Sequence, residues 1–252
     1  MNLDFSNDQK FLQEEARKFL EKENSINRNR GVLDSGHNTD TELWNKIVDL
    51  GWTGIRIPEE YGGLGLTHLE LCVIAEELGR FLAPVPFSSS VYLFTEAIIK
   101  YASEDIKQDI LPKLISGEVI GTLAVTEEFC APTAANIKTE VSNNLISGKK
   151  IAVPDAGIAT HSIIVTKSDA GISLQLINHS LDEVVVTHQE NIDESRGHFS
   201  ITLDKAPCTL VGDASNGWDL FESLMDQAAV LFSFEQLGGS QASLDMAVGY
   251  AK

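Results

Sequence analysis

The sequence has few basic residues: 19 Lys and Arg stand against 37 Asp and Glu, and the formal net charge is −18. Such a surface repels polyphosphate backbones, and no stripe of Lys and Arg offsets the repulsion, so nucleic-acid binding is disfavoured. The same charge disfavours docking on anionic lipid. It does not exclude a small anionic ligand, because local amides and cations outweigh a distant field that salt screens within ~10 Å.

Long apolar runs are also missing. Nowhere do about 18 apolar residues follow one another, so the sequence predicts no membrane-spanning helix. The N-terminus has no basic segment ahead of an apolar one, unlike a secretory signal. The three cysteines, Cys72, Cys130 and Cys208, are odd in number and far apart in the sequence, which indicates free thiols in a reducing compartment. We therefore expect a soluble, cytoplasmic protein without a membrane segment.

Several site motifs do not occur. The sequence lacks GxGxxG, lacks GxxxxGK followed by Ser or Thr, and lacks GxSxG, which excludes the Rossmann and Walker phosphate loops and the nucleophile elbow of serine hydrolases. Its six histidines have no ligand spacing such as HExxH, so no metal site is predicted.

Helical periodicity characterises residues 1–118 and predicts an N-terminal α-helical domain. A first apolar face contains Phe11, Leu12, Ala16, Phe19 and Leu20. Capping boxes are predicted at Thr39 with Glu42 and at Thr67 with Glu70, and Gly79 is expected near the end of the helix that follows the second box. Further helices are predicted over 91–101 and 104–115, with Pro112 expected to kink the latter or end it early.

The pattern changes to short strands over 119–210. Seven β-rich runs separated by turn signals predict a middle domain that is a small antiparallel barrel or sandwich. Residues 211–252 begin a third region, in which a helix starts at Trp218 and is apolar on more than one face. Such a helix is normally surrounded by other helices, so we expect either that another chain covers it or that the sequence is incomplete. The predicted fold class is α+β, ending in the start of a helical bundle.

The most distinctive segment is 57–66, which reads IPEEYGGLGL. One interpretation is a connector that brings two helices together, since glycine tolerates positive φ. The other is a phosphate cradle, which is the weaker interpretation because no strand precedes the glycines. The segment resembles the N-terminal domain of the acyl-CoA dehydrogenase family. The resemblance continues through EELG at 76–79, LPKLISGE at 111–118, LAVTE at 123–127, LISGKK at 145–150 and EQLGG at 235–239.

The resemblance implies an FAD-dependent enzyme of lipid metabolism that oxidises the Cα–Cβ bond of an acyl-CoA thioester and passes electrons to an electron-transfer flavoprotein or similar acceptor. A carboxylate removes the α-proton while the flavin accepts the β-hydride, so the protein supplies geometry and a base. The family is oligomeric, which implies a homo- or hetero-oligomer. Its arginine-containing segment that reaches a neighbouring FAD is expected just after Lys252, so this chain is not expected to complete a dimeric cofactor site alone.

The resemblance also assigns site residues. Val125 and Thr126 match the strand end that contacts the flavin ring, and Thr133 replaces the serine of the family's glycine-rich turn after a one-residue shift. The family's Trp-Ile-Thr beside the flavin aligns with Ala152, Val153 and Pro154, which removes an indole and a backbone N–H. Ala152 and Val153 are therefore predicted to line the cofactor site.

Glu235 is the candidate catalytic base. The position of the base in some relatives aligns with Ala228, and Glu235 lies seven residues later on nearly the same helix face. A carboxylate among apolar neighbours loses solvation, which raises its pKa. The alternative is a structural glutamate at a helix–helix contact, and Asp226 is a weaker candidate. Two functional hypotheses remain open: an acyl-CoA dehydrogenase that is incomplete as a single chain, and a catalytically degenerate partner subunit of a heteromeric one.

Overall fold

The computed structural model describes residues 4–36, 38–193 and 195–252. Its N-terminal part is helical, as the periodicity predicts, and it includes a π-helical segment. The helices there are α1 (Asn7–Glu23), α2 (Ile26–Asp34), α3 (Thr41–Asp49), α4 (His68–Arg80), the π-helix Ser88–Thr95, α5 (Glu96–Tyr101) and α6 (Glu104–Ile115).

Two helix starts test the predicted capping boxes. Thr67 and Glu70 form the expected reciprocal box at the start of α4, and α4 ends at Arg80, one residue after Gly79. The box predicted at Thr39 is wrong, because the N-cap of α3 is Asp40, whose carboxylate accepts a hydrogen bond from the Leu43 N–H at 2.9 Å. Asp and Thr are both good N-caps, so local sequence alone did not separate the two positions.

Pro112 does not end α6. The helix continues to Ile115, with Ile110, Leu111 and Leu114 buried. Packing of this apolar face compensates for the backbone hydrogen bond that proline removes, and the expectation of an early end is wrong.

In the described part of the chain, eight strands form one mixed sheet: β1 (Gly121–Ala124), β2 (Glu140–Ser142), β3 (Leu145–Pro154), β4 (His161–Ser168), β5 (Gly171–Asn178), β6 (Val184–Gln189), β7 (His198–Pro207) and β8 (Thr209–Val211). The order is β6-β7-β3-β2-β4-β5-β8, and β1 pairs with β4 off this path. β1 runs parallel to β4, with Gly121 opposite His161. β3 changes register twice against β7.

This sheet corrects the predicted antiparallel barrel or sandwich. It is mixed, because β1 enters from the helical part in the same direction as β4, and among the described strands it does not close into a barrel. Alternation within each strand predicts which residues face one side, but it does not identify the neighbouring strand or its direction. The α+β class is confirmed.

The glycine-rich segment 57–66 forms tight turns between α3 and α4. Gly62 and Gly65 have φ of +87° and +59°, and a Cβ on Gly63 would lie 2.0 Å from the Ile57 carbonyl oxygen. Only glycine fits these positions without strain. The connector interpretation therefore accounts for the glycines.

The long helix α7 (Gly217–Ala251) packs against α4 and the sheet. One face is buried through Phe221, Leu224, Ala228, Leu231 and Gly238. The other face exposes apolar side chains, namely Val230, Leu237, Leu244 and Val248. The prediction that apolar residues cover more than one face of this helix is confirmed. Among the helices described, none combines the length and apolar content needed to cross a bilayer.

Candidate functional site

The end of β1 is held by a buried ion pair. The Lys150 Nζ lies 3.1 Å from the Val125 carbonyl oxygen and 2.6 Å from a carboxylate oxygen of Glu127. Glu127 also accepts hydrogen bonds from the N–H groups of Lys138 and Thr139. These contacts fix the backbone on both sides of Thr126.

Burial acts on both members of this pair. Burial lowers the pKa of Lys150 to about 8, although the nearby Glu127 carboxylate opposes the change. Burial acts to raise the pKa of Glu127, but hydrogen bonds from Lys150 and Thr139 outweigh it and lower that pKa overall. At neutral pH the pair is therefore charged, and the Thr126 segment is held by a full ion pair.

Next to this strand end lies a depression of about 540 Å³, called here the Thr126 depression. It is lined by Thr126, Glu128, Phe129, Cys130, Ile151, Ala152, Gln189, Glu190, Asn191 and His198. Two of the predicted cofactor residues, Thr126 and Ala152, thus lie at one surface. Since β3 bulges between Lys150 and Val153 and Ala152 has a φ of +51°, the bulge positions Ala152 there.

The other predicted cofactor residues lie elsewhere. The Val153 side chain is buried in the hydrophobic cluster beneath the sheet. Thr133 is exposed and caps a short turn at 134–136, and it does not line the Thr126 depression. Val125 contributes its carbonyl group to Lys150. These three assignments stay predictions based on resemblance.

The residues of the Thr126 depression fit a flavin ring better than they fit a complete FAD. The Thr126 hydroxyl has no hydrogen-bond partner among the described residues and is available to a ligand. The Ala152 N–H, in contrast, already donates to Gln189 Oε1 at 2.7 Å. Among the described residues, the lining holds two carboxylates, Glu128 and Glu190, and no Lys or Arg, so these residues offer no cation to a diphosphate.

Glu235 lies in a second cavity, of about 410 Å³, called here the Glu235 cavity. Most of its wall is apolar, and its lining includes Asn29, Arg196 and Glu235. Burial raises the pKa of Glu235, an effect that nearby Tyr92 and Arg196 oppose and Asp155 strengthens. The two pockets share no lining residue.

A buried polar cluster stands beside this carboxylate. An Arg196 amino nitrogen donates to Asp155 Oδ2 at 2.5 Å and to Ser88 Oγ at 2.9 Å. Ser89 donates to the same Asp155 oxygen. The fully buried Tyr92 acts on the Glu235 carboxylate and lowers the pKa of Glu235.

Sequence reasoning missed Arg196, Asp155 and Tyr92. One signal was present, since Arg196 is the only arginine after Arg80. Two further buried carboxylates that it missed are structural: Glu77 receives two hydrogen bonds from Arg17, and Glu96 pairs with Arg56. In the portion of the chain that the structure describes, no three His, Cys, Asp or Glu side chains are arranged to hold a metal ion.

Comparisons with known proteins identify this architecture. The helical part, the mixed sheet and α7 superpose on butyryl-CoA dehydrogenase from Megasphaera elsdenii with a TM-score of 0.91, at 21% identity, covering 100% of this chain and 70% of that one. A glutaryl-CoA dehydrogenase from Mycobacterium smegmatis, solved in complex with FADH2, gives a TM-score of 0.87 at 20% identity, with 98% of this chain and 66% of that chain covered. The fold is that of an acyl-CoA dehydrogenase.

The sequence comparisons agree. The family model described as acyl-CoA dehydrogenase, N-terminal domain, matches residues 6–118. Mitochondrial isovaleryl-CoA dehydrogenase from Solanum tuberosum is 26% identical over 229 residues, which are 84% of this chain and 56% of that protein. The chain is therefore similar to the acyl-CoA dehydrogenase family, with the family model matching its helical part. It spans little more than half the length of the Solanum tuberosum relative.

Proposed function

We propose that this chain forms part of an FAD-dependent enzyme that removes hydrogen from the Cα–Cβ bond of an acyl-CoA thioester. The match of residues 6–118 to the N-terminal domain of the acyl-CoA dehydrogenase family supports the reaction class, and the names of relatives such as isovaleryl-CoA dehydrogenase point to acyl-CoA substrates. The observation that carries the proposal is the convergence of Thr126 and Ala152 on one depression, at the strand end fixed by Lys150 and Glu127.

In this proposal the Thr126 depression holds the flavin ring, with the free Thr126 hydroxyl as a hydrogen-bonding group. When bound, the flavin supplies a hydride acceptor. Val125 and Thr133 are proposed to contribute from the flanking backbone and turn, and Val153 to support Ala152 from beneath. Because the depression has no cation for a diphosphate, we propose that a partner chain supplies that part of the FAD site.

Glu235 is proposed as the base that takes the α-proton. Because the α-proton and the β-hydride leave adjacent carbons, this role requires the Glu235 cavity and the Thr126 depression to meet at the bound substrate. Burial raises its pKa, and a carboxylate whose pKa lies closer to the working pH is a more effective base. The uncovered apolar face of α7 supports assembly into a homo- or hetero-oligomer, because contiguous exposed apolar side chains are typical of interaction surfaces. The electron acceptor is proposed to be an electron-transfer flavoprotein or a similar protein.

Flavin binding tests the first part of this proposal. We expect the purified chain to quench FAD fluorescence on titration, and Thr126→Val to weaken binding about fivefold, the effect of losing one hydrogen bond of about 1 kcal/mol. Thr187→Val is the matched control, since Thr187 is exposed on β6 outside the depression. A chain that stays colourless alone and binds flavin only with a homologous partner would instead indicate the degenerate-subunit hypothesis.

Turnover tests the second part. In a flavin-loaded preparation that reduces an artificial electron acceptor with an acyl-CoA, Glu235→Gln is expected to lower kcat by at least about a hundredfold and to leave the flavin spectrum unchanged. Asp219→Asn, at an exposed position in the first turn of α7, is the control. Unchanged turnover in Glu235→Gln would eliminate Glu235 as the base.

A further inference from the structure

The Glu235 cavity contains more polar groups than its internal contacts satisfy. Asn29, Arg196 and Glu235 line it, while its remaining wall is mainly apolar, with Leu33, Leu78, Leu82, Val85 and Phe87 among the lining side chains. A volume of about 410 Å³ lies in the range of small-molecule sites. A few polar groups on an apolar wall are typical of sites that orient a ligand.

The hydrogen-bonding atoms of the cavity that have no partner indicate which donors and acceptors a ligand must carry. The Asn29 Oδ1 and the Arg196 Nε are buried without a hydrogen-bond partner, and both residues line the cavity. Glu235 forms no ion pair within the described residues. Buried polar groups in native proteins are paired with protein, water or ligand in the great majority of cases.

The balance of donors and acceptors at the cavity wall is uneven. Asn29 Oδ1 and the Glu235 carboxylate offer acceptors, and the Arg196 Nε–H is a buried unpaired donor. Ser195 and Gln236 complete the polar part of the lining. A complementary ligand therefore donates at least one hydrogen bond and accepts another, which a hydroxyl group does.

The charges exclude the two ionic alternatives. Asp155 neutralises Arg196 through a 2.5 Å contact, so Glu235 leaves the cavity with an acidic character that disfavours an anionic ligand. An ammonium ligand is disfavoured for a different reason, because it has no acceptor for the unpaired Arg196 Nε–H. A neutral group that is both donor and acceptor avoids the repulsion and satisfies both sides of the wall.

We infer that the Glu235 cavity is a binding site for a neutral apolar molecule, or apolar portion of a molecule, that carries a hydroxyl group, with the hydroxyl donating to Glu235 and accepting from the Arg196 Nε. This inference goes beyond the proposed dehydrogenation, because it concerns what the cavity recognises. Its test needs neither flavin nor turnover, so the two proposals fail separately.

Three probes of similar size test the site by calorimetric titration of the full chain: β-naphthol, its methyl ether and naphthalene. Naphthol both donates and accepts, the ether only accepts, and naphthalene does neither. We expect naphthol to bind at least about tenfold more tightly than either other probe, since a site built to hydrogen-bond a hydroxyl discriminates strongly against analogues that lack it.

Variants of Glu235 test whether this residue causes the preference for naphthol. In Glu235→Leu the preference for naphthol over naphthalene is expected to disappear while naphthalene still binds, which shows that the cavity has kept its shape. Glu235→Gln keeps the size of the side chain and is expected to reduce the preference to about threefold, and the exposed Asp226→Leu on the same helix is expected to retain it. Equal binding of the three probes to the native chain, no binding of any probe, or an unchanged preference in Glu235→Leu would each overturn the inference.

Discussion

The Cα of Gly79 in α4 faces the backbone of Glu235 in α7 so closely that a Cβ at Gly79 would lie 2.0 Å from the Glu235 carbonyl oxygen. A second glycine makes the reciprocal contact, since a Cβ at Gly238 would lie 1.8 Å from the Glu76 carbonyl oxygen. The two segments of the family resemblance, EELG and EQLGG, therefore pack against each other. Their glycines set the distance between the two helices and hold Glu235 at its cavity.

Gly79→Ala is predicted to lower the free energy of unfolding by about 3 kcal/mol, because the added methyl group must separate two helix backbones. Gly239→Ala is the matched control, since its Cβ would meet the Gly79 carbonyl oxygen at an ordinary 3.5 Å. In that variant the better helix propensity of alanine is expected to be neutral or stabilising by up to about 1 kcal/mol. Urea unfolding followed by circular dichroism measures both, and equal stability of the two variants would contradict the packing argument.

Lys150→Met is predicted to destabilise the chain by about 3 kcal/mol at neutral pH, because it leaves the Glu127 carboxylate buried without its cation. Lys149→Met is the control, since Lys149 is the exposed neighbour on the same strand. Replacing both members of the pair, as in Lys150→Met with Glu127→Leu, is expected to cost less than Lys150→Met alone. A double variant less stable than Lys150→Met would show that the pair acts through something other than charge compensation.

Lys150 also makes the stability of the folded chain depend on pH. Its pKa is about 8 in the folded chain and 10.5 as an ordinary lysine, so between these values the unfolded chain binds more protons than the folded one. Stability contributed by this group therefore rises as the pH increases from 8 to 10.5. The difference in unfolding free energy between the native chain and Lys150→Met is expected to widen over that range, and a constant difference would contradict the prediction.

The sequence predicted local features better than long-range ones. The Thr67–Glu70 box and the apolar faces of the helices follow from residues a few positions apart, and the structure has both. The parallel pairing of β1 with β4 joins residues 40 positions apart, and the Arg196–Asp155 contact joins residues 41 apart. The periodicity of a sequence does not indicate which distant residues come into contact.

In the candidate site, too, local features were easier to predict than contacts between distant segments. Of the residues that the resemblance predicts, Thr126 and Ala152 lie at one surface, since Thr126 follows the end of β1 and Ala152 lies at the bulge in β3. Thr133 and Val153 were placed by alignment alone, and their side chains lie outside that depression, at an exposed turn and in the core. The acidity of a single carboxylate such as Glu235 depends on neighbours from three separate segments, which a linear sequence does not bring together.

The pKa of Glu235 is predicted to rise or to fall, depending on which neighbouring residue is replaced. Tyr92 and Arg196 lower the pKa of Glu235, so Arg196→Gln or Tyr92→Phe is expected to raise it. Asp155 raises that pKa, so Asp155→Asn is expected to lower it. Titration of selectively labelled glutamate side chains by NMR measures these directions. Because the folded pKa is raised above 4.5, the stability that protonated Glu235 contributes is lost as the pH rises through that folded value. Glu235→Gln is therefore expected to gain stability relative to the native chain between pH 4 and pH 7, and a relative loss would contradict the assigned direction.

Ala152→Trp is predicted to increase affinity for flavin. Ala152 is exposed at the rim of the Thr126 depression, so an indole there gains a stacking surface for the ring, worth up to about 1.5 kcal/mol, or about tenfold in affinity. Ala170→Trp is the control, since Ala170 lies at the exposed turn between β4 and β5, outside the depression. FAD fluorescence quenching measures both dissociation constants. If Ala152→Trp bound no more tightly than the native chain and Ala170→Trp, the depression would not be the place where the flavin ring lies.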